Sequence, residues 1–265
     1  MKKYVVIGNP IEHSLSPKLH NHWIKKNNID AVYEKKKLNQ NELNTLILMI
    51  KEKKINGANV TVPFKKSIIP FLDILSPEAK NTQSVNTIYL ENNKIIGHNT
   101  DINGFEKSLI LGEHNIIGKK VLILGAGGVV PSIIYTLKKL KASQIVLSNR
   151  TKKKAEDLKE LFEDIEIIEW GEVPNLDIII NATSVGLNKG DMIDLDFTKF
   201  EKNKLFYDVI YNPKETNFLK LGKKLGHKVE NGEKMFIYQA SAAFKIWHGI
   251  DPEINKDVSL ILDND

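Results

Sequence analysis

Short apolar runs ending in Gly, Asn or Asp alternate along this chain with longer stretches whose apolar residues recur every three to four positions. The first kind reads as strands buried on both faces and the second as amphipathic helices. Their alternation marks parallel strands joined by crossover helices, so the fold class is α/β. In the first hundred residues the pattern predicts strands at 4–7, 31–35 and 57–62, the last closed by Pro63, and helices near 18–27 and 43–50. A hairpin is expected with arms at 86–90 and 94–97 around Glu91-Asn92-Asn93. A second series opens at Val121, with strands at 121–124, 144–148, 166–168, 177–181 and 205–209, helices at 129–140 and 152–162, and a final helix over 235–247.

No internal repeat or low-complexity linker interrupts these series. At 265 residues the natural expectation is two domains sharing one active cleft. The boundary is placed just after Asp101. Residues 1–101 then form an α/β domain completed by a C-terminal helical segment, 237–265, and residues 102–236 form a doubly wound domain.

Composition narrows the classes of function. With 42% hydrophobic and 27% charged residues the chain can bury full-sized cores. Lys and Arg number 38 against 33 Asp and Glu, a formal charge of +5. That charge suits an anionic ligand, but the runs Lys35-Lys36-Lys37 and Lys152-Lys153-Lys154 carry no interleaved aromatics and read as solvated faces, so no nucleic-acid partner is expected. The absence of cysteine excludes disulfides, thiolate metal sites and a Cys nucleophile. His20, His22, His114, His227 and His248 show no paired ligand spacing, so no metal is expected. No stretch approaches the roughly 20 apolar residues of a membrane span, and Met1-Lys2-Lys3 runs straight into a strand, so a cytoplasmic protein without a membrane partner is expected.

Candidate chemistry begins at Gly125-Ala126-Gly127-Gly128, which follows the strand Val121-Leu122-Ile123-Leu124 and leads into a helix. Such a turn lets backbone approach a pyrophosphate while the helix N-terminus offers free N–H groups and a positive dipole end. Pro131 falls in the first helical turn, where its missing N–H costs little. The next strand ends in Ser148-Asn149-Arg150-Thr151, where an NAD site would place an acid for the ribose hydroxyls. Arg150 can instead pair a 2′-phosphate bidentately, with Thr151 and Lys154 assisting, so the expected cofactor is NADP in a Rossmann-type domain. Lys154 reads equally well as part of a solvated helix start. Asn181-Ala182-Thr183-Ser184 ends the fourth strand of this domain, at the carboxyl edge where open sheets bind ligands, which makes Ala182 and Thr183 cofactor candidates.

Four polar clusters in the first domain are each read as following a strand and so as lining one cleft. Ser14-Leu15-Ser16-Pro17 presents two hydroxyls at a helix start, and either can simply be its N-cap. In Asn59-Val60-Thr61-Val62-Pro63-Phe64-Lys65, Asn59 and Thr61 share one strand face with Lys65 just beyond. Val85-Asn86-Thr87 and Gly97-His98-Asn99-Thr100-Asp101 add an amide and an acid. Taken singly these are also ordinary turn residues.

Together with Gly125-Ala126-Gly127-Gly128, Asn149-Arg150-Thr151 and Tyr238-Gln239-Ala240, these clusters resemble, in order and over nearly the whole chain, the signature motifs of the shikimate dehydrogenase family. The resemblance implies an N-terminal substrate domain, a Rossmann-type NADP domain, and NADPH-dependent reduction of 3-dehydroshikimate to shikimate on the route to chorismate and the aromatic amino acids. It implies a small-molecule substrate and a monomer or homodimer. Ser14 and Ser16 would hold the substrate carboxylate, and Asn59, Thr61, Asn86, Asp101 and Gln239 its ring hydroxyls. Tyr211, in Val209-Ile210-Tyr211-Asn212-Pro213, would border substrate and nicotinamide, with Val209 and the Gly232 loop on the cofactor side. Lys65 and Asp101 would be the catalytic pair.

That pair makes chemical sense, because reducing a ketone generates an alkoxide that a cation beside a carboxylate can stabilise and protonate. Two places depart from the family pattern: Gln83-Ser84 stand where Gly-Ala is frequent, and Val130-Pro131 replace smaller residues after the glycine turn. A quinate/shikimate dehydrogenase of relaxed choice would favour an acid within 148–151, where there is none. A methylenetetrahydrofolate dehydrogenase would not require the Ser14 and Ser16 pair, and a redox-state sensor would not require Lys65 and Asp101 to meet.

Overall fold

The computed structural model describes residues 1–263; the last two residues of the predicted helical segment 237–265 lie outside the described residues. The backbone divides into two compact units, Met1–Gly104 together with the chain from Ile237 onward, and Phe105–Phe236.

In chain order the first unit contains β1 (Lys2–Gly8), α1 (Ser16–Lys26), β2 (Ala31–Lys37), α2 (Leu43–Lys51), β3 (Gly57–Val60), β4 (Ile74–Leu75), α3 (Pro77–Thr82), β5 (Thr87–Glu91) and β6 (Lys94–His98). Helix α2 buries Leu43, Leu46, Ile47 and Ile50, a stripe at helical spacing, against a core that includes Val5, Ile7, Ala58 and Val60. The six strands are ordered β2-β1-β3-β5-β6-β4. β1 runs parallel to β2 and β3, whereas β5 is antiparallel to both β3 and β6.

This reversal corrects one element of the sequence reading. Val85-Asn86-Thr87 does not follow a strand but opens β5. Because β5 runs backwards, its first residue reaches the same edge as the ends of β3 and β6, in the register Asn59 to Thr87 to His98. The strand expected over 57–62 stops at Val60, ahead of Pro63, which has no N–H to extend a ladder.

Helix α4 (Asp101–Leu111) starts on the first unit and continues into the second. There follow β7 (Lys120–Leu124), α5 (Val130–Lys139), β8 (Gln144–Ser148), α6 (Lys152–Leu161), β9 (Glu166–Ile168), β10 (Ile178–Asn181), β11 (Leu205–Asp208), α7 (Asn217–Lys224), β12 (Lys228–Glu230) and α8 (Glu233–His248), with α9 (Lys256–Asp263) last. All neighbouring strands of the second sheet are parallel, in the order β12-β11-β10-β7-β8-β9. Renumbered within the unit this is 3-2-1-4-5-6 read from its other edge, the Rossmann order. Leu122, Ile123 and Leu124 are fully buried in succession and divide between two cores, one containing Ile133, Ile134 and Leu137 of α5 and the other Phe218 and Leu219 of α7. Covering both faces is why these strands read as unbroken apolar runs.

The residues from Ile237 onward pack aromatic rings on the first unit. Phe244 meets Trp23 edge-on at 5.6 Å, and Trp247 lies 4.9 Å from Tyr4 while its indole N–H donates to the Ile88 carbonyl. Elements that the periodicity did not reveal are short, such as β4, α3 and β12, or are helices interrupted by glycine, as in α4 and α7.

Candidate active site

The polar clusters of the first unit converge because β1, β3, reversed β5 and β6 deliver them to one sheet edge. Backbone hydrogen bonds stitch them: Val60 N–H donates to the Asn86 carbonyl at 2.8 Å, Asn86 N–H to His98 at 3.0 Å, and Val85 N–H to Lys65 at 2.9 Å. Side chains continue the stitching. The Lys65 ammonium donates to Asp101 Oδ2, and both side chains are nearly buried, with 12% and 8% of their surface exposed. The other Asp101 oxygen accepts from Asn86 Nδ2 at 2.8 Å, and a second hydrogen of that amide goes to Thr100 Oγ1 at 3.0 Å. Asn86 Oδ1 in turn accepts from the Thr100 N–H at 2.8 Å. Asp101 is thus held from one side by an amide and faces a cation on the other. A buried pair of this kind is costly unless hydrogen bonds satisfy its other oxygen, as Asn86 does here.

Asn59 belongs to the same array. Its Nδ2 donates to the Asn86 carbonyl at 3.0 Å and to Thr87 Oγ1 at 3.1 Å, while its Oδ1 accepts from the Tyr33 hydroxyl at 2.6 Å. Ser16 also hydrogen-bonds Tyr33, whose hydroxyl burial pushes well above its ordinary pKa, so it stays a donor at any physiological pH. Neither serine caps α1 in the ordinary way. Leu15 is the cap residue without a side-chain bond, and Ser14 Oγ accepts from the Ser16 N–H at 3.3 Å. The Thr61 hydroxyl has no protein partner among the described residues, and Gln239 is half-buried on α8 in the same unit.

The second unit holds the glycine turn between β7 and α5. Gly125 has φ +107°, and a Cβ there would lie 2.9 Å from the Ala182 carbonyl oxygen, so the loop after β10 seats directly on the turn. Val130 points into the core with no exposure, so the departure from the family pattern is absorbed by packing. Gln83, the other departure, adopts the left-handed conformation that glycine favours, with φ +47° at the end of α3, and its side chain donates to the Lys80 carbonyl at 2.7 Å.

Arg150, Thr151 and Lys154 are exposed at the start of α6, and Asn149 Nδ2 ties the loop by donating to the Thr151 carbonyl at 2.8 Å. The lysine run resolves into different roles. Lys152 pairs with Glu169 and Lys153 with Asp157, whereas Arg150 and Lys154 have no acidic partner among the described residues. The site residues therefore fit a phosphorylated dinucleotide: a turn that only glycine can make, a helix N-terminus behind it, and two uncommitted cations beside the next strand.

The loops after β10 and β11 are organised by a residue that belongs to none of the sequence motifs. Asp208, without solvent exposure, accepts from Asn181 Nδ2 at 3.1 Å, Ile210 N–H at 3.0 Å and Thr216 Oγ1 at 2.6 Å. Asn181 Oδ1 accepts from the Thr183 hydroxyl at 2.7 Å, so Ala182, Thr183 and Val209 are held by one network. Burial pushes Asp208 up to about 6, against the three donors that lower it. A Cβ on Gly232 would come within 2.1 Å of the Val209 carbonyl oxygen, which admits only glycine. Tyr211 stacks on Phe236 at 4.2 Å, with the rings 18° apart. Asp208 stands next to Val209 in sequence, but only its burial reveals its part. Tyr33 carries no motif at all.

No three His, Asp or Glu side chains gather to hold a metal among the described residues, and no helix among them is long and apolar enough to cross a membrane. A Rossmann sheet with a glycine turn, in one chain with an α/β unit that buries a Lys–Asp pair, defines the class of dinucleotide-dependent dehydrogenases built on two α/β units. Comparison with known proteins narrows the class. Residues 6–88 match the shikimate dehydrogenase substrate binding domain, and residues 109–228 the shikimate / quinate 5-dehydrogenase family. The chain is 60% identical over 262 residues to the NADP(+) shikimate dehydrogenase of Pelagibacter ubique, covering 99% of both. The crystal structure of shikimate dehydrogenase from Aquifex aeolicus superposes with a TM-score of 0.89 at 38% identity, covering 100% of this chain and 98% of that one. A shikimate 5-dehydrogenase of Thermus thermophilus solved with NADP(H) and shikimate gives 0.89 at 29% identity, covering 99% and 98%. The chain belongs to the shikimate dehydrogenase family.

Proposed function

We propose that this chain reversibly reduces 3-dehydroshikimate to shikimate with NADPH, a step towards chorismate and the aromatic amino acids. The observation that carries the reading of its chemistry is the buried Lys65–Asp101 pair, with Asp101 clamped by Asn86. The first unit binds the substrate: Ser14 and Ser16 take its carboxylate, and Asn59, Thr61, Asn86, Asp101 and Gln239 its ring hydroxyls. On the second unit Gly125, Ala126, Gly127 and Gly128 cradle the pyrophosphate, Arg150 with Asn149, Thr151 and Lys154 takes the 2′-phosphate, and Ala182, Thr183, Val209 and Gly232 line the nicotinamide side, with Tyr211 at its border with the substrate.

The bound cofactor supplies the hydride. As the ketone carbon accepts it, negative charge collects on oxygen, and the Lys65 ammonium beside that oxygen stabilises the charge and gives up a proton to complete the alcohol. Asp101 orients the ammonium and offsets its charge, and Lys65 regains its proton from solvent through its small exposed surface. Binding that strengthens as charge develops acts on kcat rather than on KM. All these residues come from one copy of the chain, so a monomer or a homodimer serves equally, and the cytoplasmic nucleotide pool is the setting.

Spectrophotometric assay of NADP reduction with shikimate, with quinate and with neither tests the assignment. Turnover with shikimate is expected, and a folded, NADP-binding protein that turns over neither acid would overturn it. Lys65→Ala is expected to lower kcat by about 10²–10³-fold, the usual consequence of losing one group aimed at a developing oxyanion. A change confined to KM would move Lys65 to a binding role.

A further inference from the structure

We propose that the first unit carries a second ligand site, at the edge of its sheet opposite the polar clusters, and that this site takes a small aromatic carboxylate. The polar clusters gather where β1 and β3 end and β5 starts; the cavity lies where β1 and β3 start and β5 ends. None of its residues has a part in the function proposed above.

Unequal strand lengths create the site. β3 starts at Gly57, which pairs with Tyr4 of β1 on one side and with Tyr89 of β5 on the other. Both neighbours run past that start, β1 back to Lys2 and β5 on to Glu91, so the sheet has a notch where β3 is missing. Strand alternation and register put Lys2, Tyr4, Tyr89 and Glu91 on one face. Gly57, between the tyrosines, has no side chain, and the indole of Trp247 takes that place: a Cβ on Gly57 would lie 2.5 Å from its Nε1. A cavity of about 250 Å³ remains, walled by Trp247 on this face and by Ile50 and Ile55 on the other. Ligand pockets usually hold about 300–1,000 Å³, so this one suits a compact ligand.

Unmet polar groups decide what fits. Tyr4 is only 2% exposed and lines the cavity, yet its hydroxyl has no hydrogen-bond partner among the described residues. A buried hydroxyl left unpaired is uncommon and costly. Burial pushes it up to about 12, so it stays a donor. The Tyr89 hydroxyl, also unpaired, is raised by burial and then by the charge of Glu91. Asn56 Oδ1 accepts from the Lys3 N–H at 2.9 Å, which leaves the amide hydrogens for the cavity that Asn56 lines. Lys2 and Lys53 line it without an acidic partner among the described residues, whereas their neighbours Lys3, Lys51 and Lys54 pair with Glu34, Asp73 and Glu52. Two hydroxyls, an amide and two ammonium groups therefore face a single acid, Glu91. The ligand must bring acceptors and negative charge, together with a flat apolar body for the indole and aliphatic walls, and a carboxylate carried on an aromatic ring supplies both.

Calorimetric titration of the full chain with 3-phenylpropanoate tests the site. Binding with a Kd of about 1 mM or tighter is expected, the scale of a ligand of this size. Propanoate, which lacks the ring, and 2-phenylethylamine, which reverses the charge, are expected to bind at least about tenfold more weakly. Tyr4→Phe keeps the ring beside Trp247 and should lower affinity about three- to tenfold without lowering the melting temperature, since it deletes a hydroxyl that has no partner in the free protein. Lys53→Asn, which suits the left-handed backbone there, φ +59°, should lower affinity about two- to fivefold and weaken its salt dependence. No binding by the natural chain at about 10 mM ligand, equal affinity in Tyr4→Phe, or the amine binding as tightly as the acid would each overturn the proposal.

Discussion

Replacing Asp208 with Asn should change how stability depends on pH, in a direction opposite to the usual carboxylate. Most carboxylates gain partners on folding, and stability is lost as they are protonated. Asp208 is buried with three donors but no cation among its hydrogen-bond partners, and burial raises it from the ordinary 3.8 to about 6. Its folded pKa lies above its unfolded one, so the folded state binds the proton more tightly and stability falls as pH rises. The cost is absent below about pH 4 and complete above about pH 7, where about two pH units at 1.36 kcal/mol each give about 3 kcal/mol. Integrated from pH 4.5 to 8, about 2 kcal/mol of that is accessible to measurement.

The amide that replaces this carboxyl cannot titrate, and losing one acceptor for Thr216 adds a pH-independent penalty of about 1 kcal/mol. Urea unfolding of both proteins across that range cancels the contributions of all other groups in the difference. The variant should be the weaker protein at pH 4.5 and gain about 2 kcal/mol relative to the natural chain by pH 8. Stability curves that stay parallel would show that Asp208 carries no desolvation cost, and would refute the reasoning from its burial.

Three further outcomes follow from the geometry. Arg150→Asp should lower kcat/KM with NADP by about 10–100-fold while NAD is affected far less, since a charge-assisted pair to the 2′-phosphate is exchanged for repulsion; an unchanged NADP-to-NAD ratio would remove Arg150 from the phosphate site. Gly125→Ala combines φ +107° with a Cβ 2.9 Å from the Ala182 carbonyl oxygen. It should destabilise the protein by about 1–3 kcal/mol and abolish NADPH binding followed by fluorescence, and full retention of affinity would contradict the close seating of that loop. Phe236→Leu should leave the fold intact but release the Tyr211 ring from its 4.2 Å stack, raising KM for shikimate by about three- to tenfold on the scale of one aromatic pair. A KM equal to that of the natural chain would deny Tyr211 a place at the substrate.

Much of this molecule is legible in the chain itself. Apolar runs and helical stripes are local, so β7 to β11 and helices such as α2 and α5 stand out within windows of ten or so residues. The glycine turn and Arg150 are legible for the same reason, since strand, turn and helix start are contiguous. What stayed hidden is short or non-local. β4 and β12 are too brief to show a period. The hairpin of β5 and β6 was legible from its turn, but the antiparallel pairing of β5 with β3, which brings Asn86 beside Asn59, is long-range.

The sequence alone determined the α/β class, the alternation that makes a Rossmann sheet, the glycine turn and the polar side chains available for chemistry, because each depends on neighbours along the chain. Only the tertiary structure decided which of those side chains meet. Strand order and register bring residues 33, 59, 87, 86, 101 and 65 into one hydrogen-bonded line, and burial raises Asp208. Hydrogen-bond polarity and desolvation are properties of a packed neighbourhood, and no stretch of sequence carries them before the strands have paired.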